Sequence, residues 1–213
     1  MTPTKERRPR RSNEELRQAI AEAVLAEFSE GGYQGVTFEG VARRAGTSKP
    51  VLYRRFPSRA HMVIFALFDV AKPLISQIPT DHGLEAGLHA AARTLAARAQ
   101  AVGVANIIAL MSELTPDTRA IFTSATTHPG LALLEQLYQQ EVAAGRLGEG
   151  VLNETYIRFP LVLLMGEILT RGEADARNLV NLIDTLVIPT LKTCLSGPTT
   201  FAKSQTDTVS NYL

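Results

Sequence analysis

Residues 36–59 read VTFEGVARRAGTSKPVLYRRFPSR, and their pattern predicts two short helices joined by a tight turn. Thr37 can cap the first helix with its hydroxyl. Phe38, Val41, Ala42 and Ala45 fall at helical spacing and give that helix one apolar side. Gly46 follows where the chain must turn left-handed, a conformation that favours a residue without Cβ. Thr47 or Ser48 then opens a second helix with Pro50 in its first turn, where no backbone hydrogen bond is lost. Val51, Leu52 and Phe56 can face inward. Lys49, Tyr53, Arg54, Arg55 and Arg59 are left to meet something else. A second helix with a polar, basic outer face is the part of a helix-turn-helix that enters a DNA major groove.

The same residues resemble the DNA-binding signature of the TetR family of transcriptional regulators. Leu52-Tyr53-Arg54-Arg55-Phe56-Pro57-Ser58-Arg59 is similar to that family's Leu-Tyr-x-x-Phe, followed by a short turn and a basic residue. The resemblance covers residues 14–65 by motif, and the rest of the chain is similar only in size and helical character. It implies an all-α protein with an N-terminal three-helix DNA reader and a C-terminal helical domain for ligand binding and dimerisation. It further implies a repressor released from a double-stranded operator by a small-molecule effector.

The chemistry expected of the reader is electrostatic docking followed by readout of base edges. Arg59, Tyr53 and the N–H groups at Thr37 would hold phosphates and set the register. Lys49 and Arg54 would reach bases, pairing with the O6 and N7 acceptors of guanine. Thr47, Ser48 and the Pro50 ring could touch bases or a thymine methyl, and the family uses its matching positions in this way. Glu39 departs from the pattern, because a carboxylate there either favours the helix dipole or repels a phosphate.

Composition fits this reading. The chain has 213 residues, 45% of them hydrophobic, and no Trp; Ala, Leu, Glu, Gln and Arg dominate most segments and favour helix. The net charge of +1 argues against a general polyanion binder, but its distribution is uneven. Residues 1–59 carry 12 Lys+Arg against 7 Asp+Glu, and residues 60–213 carry 10 against 14. Basic charge therefore gathers where phosphates are to be met. Cys194 is the one cysteine, which excludes an internal disulfide framework. With no signal-like N-terminus, the expected compartment is the reducing cytoplasm. The most apolar run, residues 159–169, is about half the ~20 residues needed to cross a bilayer, so no membrane is expected.

Along the chain, residues 1–11 read as a disordered basic arm for phosphate or minor-groove contact. Residues 12–57 form the reader, 58–196 the effector-binding and dimerisation domain, and 197–213 a flexible tail. Periodicity gives about nine helices in total. Ser12 and Glu15 form a capping box for the first, which Gly31-Gly32 is expected to stop. Thr80 or Asp81 caps the fifth helix, and His128-Pro129-Gly130 interrupts or kinks the one begun at Thr115-Pro116. The helices at about 154–171 and 174–195 are the expected homodimer interface, because one recognition helix covers few base pairs.

Phe65, Phe68, Ile107, Met111, Phe122, Tyr138, Tyr156 and Phe159 are candidate walls of an effector pocket, with Asn106, Arg119, His128 and Arg158 as polar contacts. No catalytic residue, cofactor motif or metal set is evident. His61, His82, His89 and His128 lack ligand spacing, and there is no Walker loop or G-x-S-x-G. The alternatives are an all-helical small-molecule-processing enzyme and an architectural DNA binder without an effector.

Overall fold

The computed structural model describes residues 12–70, 78 and 80–193. The basic arm, Pro73, Cys194 and the C-terminal tail lie outside them. All regular structure among the described residues is helical. No single described helix is long and apolar enough to cross a membrane.

Helix α1 (Asn13–Gly35) starts on the expected capping box. Ser12 Oγ accepts the Glu15 N–H at 3.1 Å, and the Glu15 carboxylate accepts the Ser12 N–H at 2.7 Å. The paired glycines do not end this helix. Gly32 kinks it, with φ at 63°, and a further helical turn runs to Gly35. A distant side chain makes the difference: Asn106 Oδ1 lies against Gly32 and accepts the Tyr33 N–H at 2.9 Å. Helices α2 (Phe38–Ala45) and α3 (Lys49–Arg55) follow.

Helix α4 (Arg59–Ile64) begins with Ser58 Oγ accepting the His61 N–H and continues into a π-helical stretch, Phe65–Val70. Helix α5 (Leu84–Val102) is not capped by Thr80 or Asp81; Gly83 precedes it, and Thr80 Oγ1 instead accepts from Gln136 Nε2 at 3.0 Å. Gly103 turns the chain into α6 (Val104–Ser112). Helix α7 (Pro116–Ala143) passes Pro129 without a break. Packing of Leu133, Leu134 and Leu137 into the core outweighs the one backbone bond that proline removes. Helix α8 (Glu154–Arg171) is capped by Asn153 and ended by Gly172 in the left-handed region. Helix α9 (Ala176–Leu182), a π-helical stretch (Ile183–Val187) and α10 (Ile188–Thr193) form one continuous rod.

Two apolar cores result. One gathers Ile20, Val24, Tyr33, Val41, Leu52 and Met62 beneath the helix-turn-helix. The other gathers Leu88, Leu137, Tyr138, Leu164, Ile168 and Ile183 in the body. Leu110 of α6 belongs to the first core, as do Val63 and Ile64 of α4. The small reader is thus completed by residues that follow it in the chain, as its size requires.

Candidate functional site

The turn of the helix-turn-helix forms as its residue types dictate. Thr37 Oγ1 accepts the Gly40 N–H at 3.0 Å and caps α2. Gly46 takes the left-handed conformation (φ 63°, ψ 37°), and the Thr47 N–H bonds back to Ala42 O at 3.0 Å. Ser48 occupies the cap position of α3, yet its hydroxyl makes no capping bond and stays exposed. Leu52 is fully buried below, which fixes the rotation of α3. Lys49, Pro50, Tyr53 and Arg54 are consequently exposed together, with Thr47 half-buried beside them.

Tyr53 is 58% exposed and stacks on Phe38 with ring centroids 4.3 Å apart. That contact braces the ring on α2 while more than half of the residue stays exposed. Lys49 Nζ bonds Glu39 at 2.8 Å, which holds the Glu39 carboxyl below its ordinary range. Glu39 is therefore the counter-ion of Lys49, a residue expected from sequence to reach bases. Arg55, unassigned by sequence, donates to Asn13 Oδ1 at 2.6 Å and ties α3 to the start of α1.

Arg59 departs from the outward phosphate clamp expected of it. Its guanidinium is paired with Glu113, lies 4.7 Å over the Tyr33 ring and donates to Gln34 O at 3.3 Å. Tyr33 in turn donates its hydroxyl proton to Glu113 at 2.7 Å. Burial pushes the Glu113 carboxyl up, but the bonds from Arg59 and Tyr33 and the Arg59 charge outweigh it and leave the carboxyl below its ordinary range. Burial and the bond to Glu113 push the Tyr33 phenol well up. This cluster joins the starts and ends of three helices: α1, α4 and α6.

The body holds an apolar cavity of about 140 Å³ between α5, α6, α7 and α8. Of the expected wall residues it brings together Phe68, Ile107 and Phe122. The others are placed elsewhere. Phe65 packs on Phe56, 5.2 Å between centroids, in the reader's core. Tyr138 is fully buried in the body core and bonds Tyr156 O at 3.4 Å, while Tyr156 and Phe159 pack against that same core. Met111 is half-buried on α6 and does not line this cavity.

The proposed polar contacts also differ. Asn106 is spent on Tyr33 and on Val102 O. Arg119 and His128 are exposed, and Arg158 is exposed beside Glu154. The charged group that does border the cavity is Arg98, which sequence reasoning passed over. A signal was available: Ala91, Leu95, Arg98 and Val102 share one face of α5, so Arg98 interrupts an apolar stripe. Among the described residues no group of three or more His, Cys, Asp or Glu is placed to hold a metal ion.

Comparison with known proteins agrees with the geometry. Residues 20–64 match the family described as "Bacterial regulatory proteins, tetR family". The repressor KstR of Rhodococcus jostii (strain RHA1) is 43% identical over 56 residues, which is 26% of each chain. Its Mycolicibacterium smegmatis counterpart is 45% identical over 53 residues. The match thus spans about a quarter of the length of these relatives. The HTH-type transcriptional regulator Mb1581 of Mycobacterium bovis is 25% identical over 175 residues, covering 79% of this chain and 84% of that one.

Among solved structures, a Mesorhizobium loti protein assigned to the TetR family superposes with a TM-score of 0.57 at 20% identity, over 86% of this chain and 98% of that one. FadR of Bacillus subtilis, solved with stearoyl-CoA, gives 0.53 at 16% identity, over 86% and 99%. At such identities the likeness is one of fold.

Proposed function

We propose that this chain, whose residues 20–64 match the tetR family of bacterial regulatory proteins, is a dimeric transcriptional repressor of that family. It reads an operator through α3 and leaves it when a small molecule fills the cavity of the body. The observation that carries this reading is the row of Lys49, Pro50, Tyr53 and Arg54, exposed on a helix whose Leu52 is wholly buried. Phosphates would be held by Tyr53 and by backbone N–H groups near Thr37, and bases by Lys49, Arg54, Thr47, Ser48 and Pro50. Arg59 joins them only by leaving Glu113.

Release follows from linkage. A ligand lowers DNA affinity only by its preference for the conformation that reads DNA poorly. Helix α6 is placed to convey that preference. Ile107 and Leu110 border the cavity, while Asn106 and Glu113 at the helix's two ends hold the reader at Tyr33 and Arg59. A body with a cavity favours this reading over an architectural DNA binder, which has no use for one. Dimerisation uses α8 and the rod from Ala176 to Thr193, whose Val162 and Leu186 are 60% and 45% exposed despite being apolar. As a regulator of genes it works in the cytoplasm.

The test is fluorescence anisotropy with DNA from the chain's own upstream region. A Tyr53→Ala, Arg54→Ala double variant, shown by circular dichroism to be folded, is expected to lose about tenfold to a thousandfold in specific affinity. A folded double variant that binds as tightly as the wild type removes α3 as the reader.

A further inference from the structure

Arg98 stands in surroundings that an arginine rarely occupies without a partner. It borders the 140 Å³ cavity and also a second apolar cavity of about 70 Å³, with Leu95 and Leu161 as the other residues common to both. The residues lining the two cavities include no carboxylate. Arg98 has no ion-pair partner among the described residues. Its Nη2 donates to Leu67 O at 3.0 Å, and its guanidinium lies 4.6 Å over the Phe68 ring. One bond and one ring face satisfy a small part of a group with five N–H donors. Burial lowers its proton affinity, but a guanidinium remains charged at neutral pH. Arg98 is half-buried, and a cation partly withdrawn from water without a counter-charge carries part of the cost of desolvation. An anion arriving in the cavity would remove that cost.

The other lining groups narrow the choice. Thr126 donates its hydroxyl proton to Phe122 O at 2.7 Å, so it has no proton left to give a ligand. Thr127 in the larger cavity and Thr94 in the smaller one are the further hydroxyls on the walls. The remaining lining is aliphatic or aromatic. A cavity of roughly 150 Å³ with such walls is large enough for a benzene-sized group. We propose that the two cavities form one site for an apolar monocarboxylic acid, its carboxylate on Arg98 and its hydrocarbon among Phe68, Ile107, Phe122 and Leu161. This rests on the effector reading above and specifies the chemistry of that effector. One cation answers one negative charge, and a planar guanidinium matches a carboxylate through two parallel hydrogen bonds.

The experiment is calorimetry on the full chain with octanoate and, as its uncharged counterpart, octan-1-ol. The wild type is expected to bind octanoate about tenfold or more tightly than the alcohol. Arg98→Met should lose that preference while still binding the alcohol, and Arg98→Lys should retain part of it. Equal or tighter binding of the alcohol by the wild type overturns the proposal whether or not either variant folds. Binding of neither compound at millimolar concentration does the same, as does an acid preference that survives in Arg98→Met. Operator affinity measured alongside separates the two ideas. Acid binding through Arg98 with no effect on DNA supports the site and sinks the effector reading. Release of DNA by uncharged apolar compounds alone sinks the site and keeps the effector reading.

Discussion

Two side chains show how residue chemistry sets the reader's behaviour. Glu39 sits beside the proposed reading helix and is bonded to Lys49. Glu39→Gln removes a carboxylate from the surface proposed to meet phosphates and leaves Lys49 without its counter-ion. Tighter DNA binding is expected, with the slope of log K against log salt steeper by about one. Melting should barely change, because both groups are exposed. Anisotropy titrations across a salt series check this.

His61 is the second case. Its Nδ1 is buried without a partner, its ring meets Phe56 edge-on at 5.6 Å, and burial lowers its proton affinity. The folded chain therefore keeps His61 neutral at pH values where the unfolded chain has already taken up a proton. Its contribution to stability is complete above the unfolded value of about 6.5 and is lost as pH falls through the lower folded value. Melting temperature should decline between about pH 7.5 and 5.5, and less steeply in His61→Phe.

Among the elements, the joint between α1 and α6 is the most exacting. Gly32 has φ 63° and ψ −162°, and a Cβ there would lie 2.6 Å from Asn106 Oδ1. Gly32→Ala adds a clash to a backbone that L-residues avoid, and a loss of about 1–3 kcal/mol is expected from denaturant melts. This joint also marks where sequence ceases to speak. Local signals located α2, the Gly46 turn, α3 and the Ser12 capping box, because each depends on residues within a few positions. The continuation of α1 past Gly31-Gly32 depends on Asn106, more than seventy residues away. The passage of α7 through Pro129 depends likewise on core packing that no local pattern records. Arg59 matched a motif position, but its actual partner Glu113 is fixed by where α6 ends.

At the scale of the whole molecule, the proposed function calls for two surfaces, one for DNA and one for a second copy. Val162 of α8 and Leu186 of the last rod are exposed apolar side chains on the helices assigned to dimerisation. Val162→Glu combined with Leu186→Arg should yield a folded monomer in sedimentation at micromolar concentration, where the wild type is expected to sediment as a dimer. The loss of one half-site should weaken operator binding sharply. The cavity was the least legible part of the sequence. Of eight aromatic and aliphatic candidates three line it, because an apolar residue on a helix reads the same whether it meets a neighbour or a void. The exposed face of α3 was the most legible, since a turn, a cap, an inward leucine and an outward basic row all had to coincide.

The account stands or falls on that face. The most direct test is anisotropy of the full chain on its own upstream DNA against an unrelated duplex of equal length, at physiological salt. A dissociation constant of about 10⁻⁸ M or tighter for the former, at least about a thousandfold tighter than for the latter, is predicted. It should weaken linearly in log salt and collapse in Lys49→Ala. Equal affinity for both duplexes, or no binding to either, contradicts it.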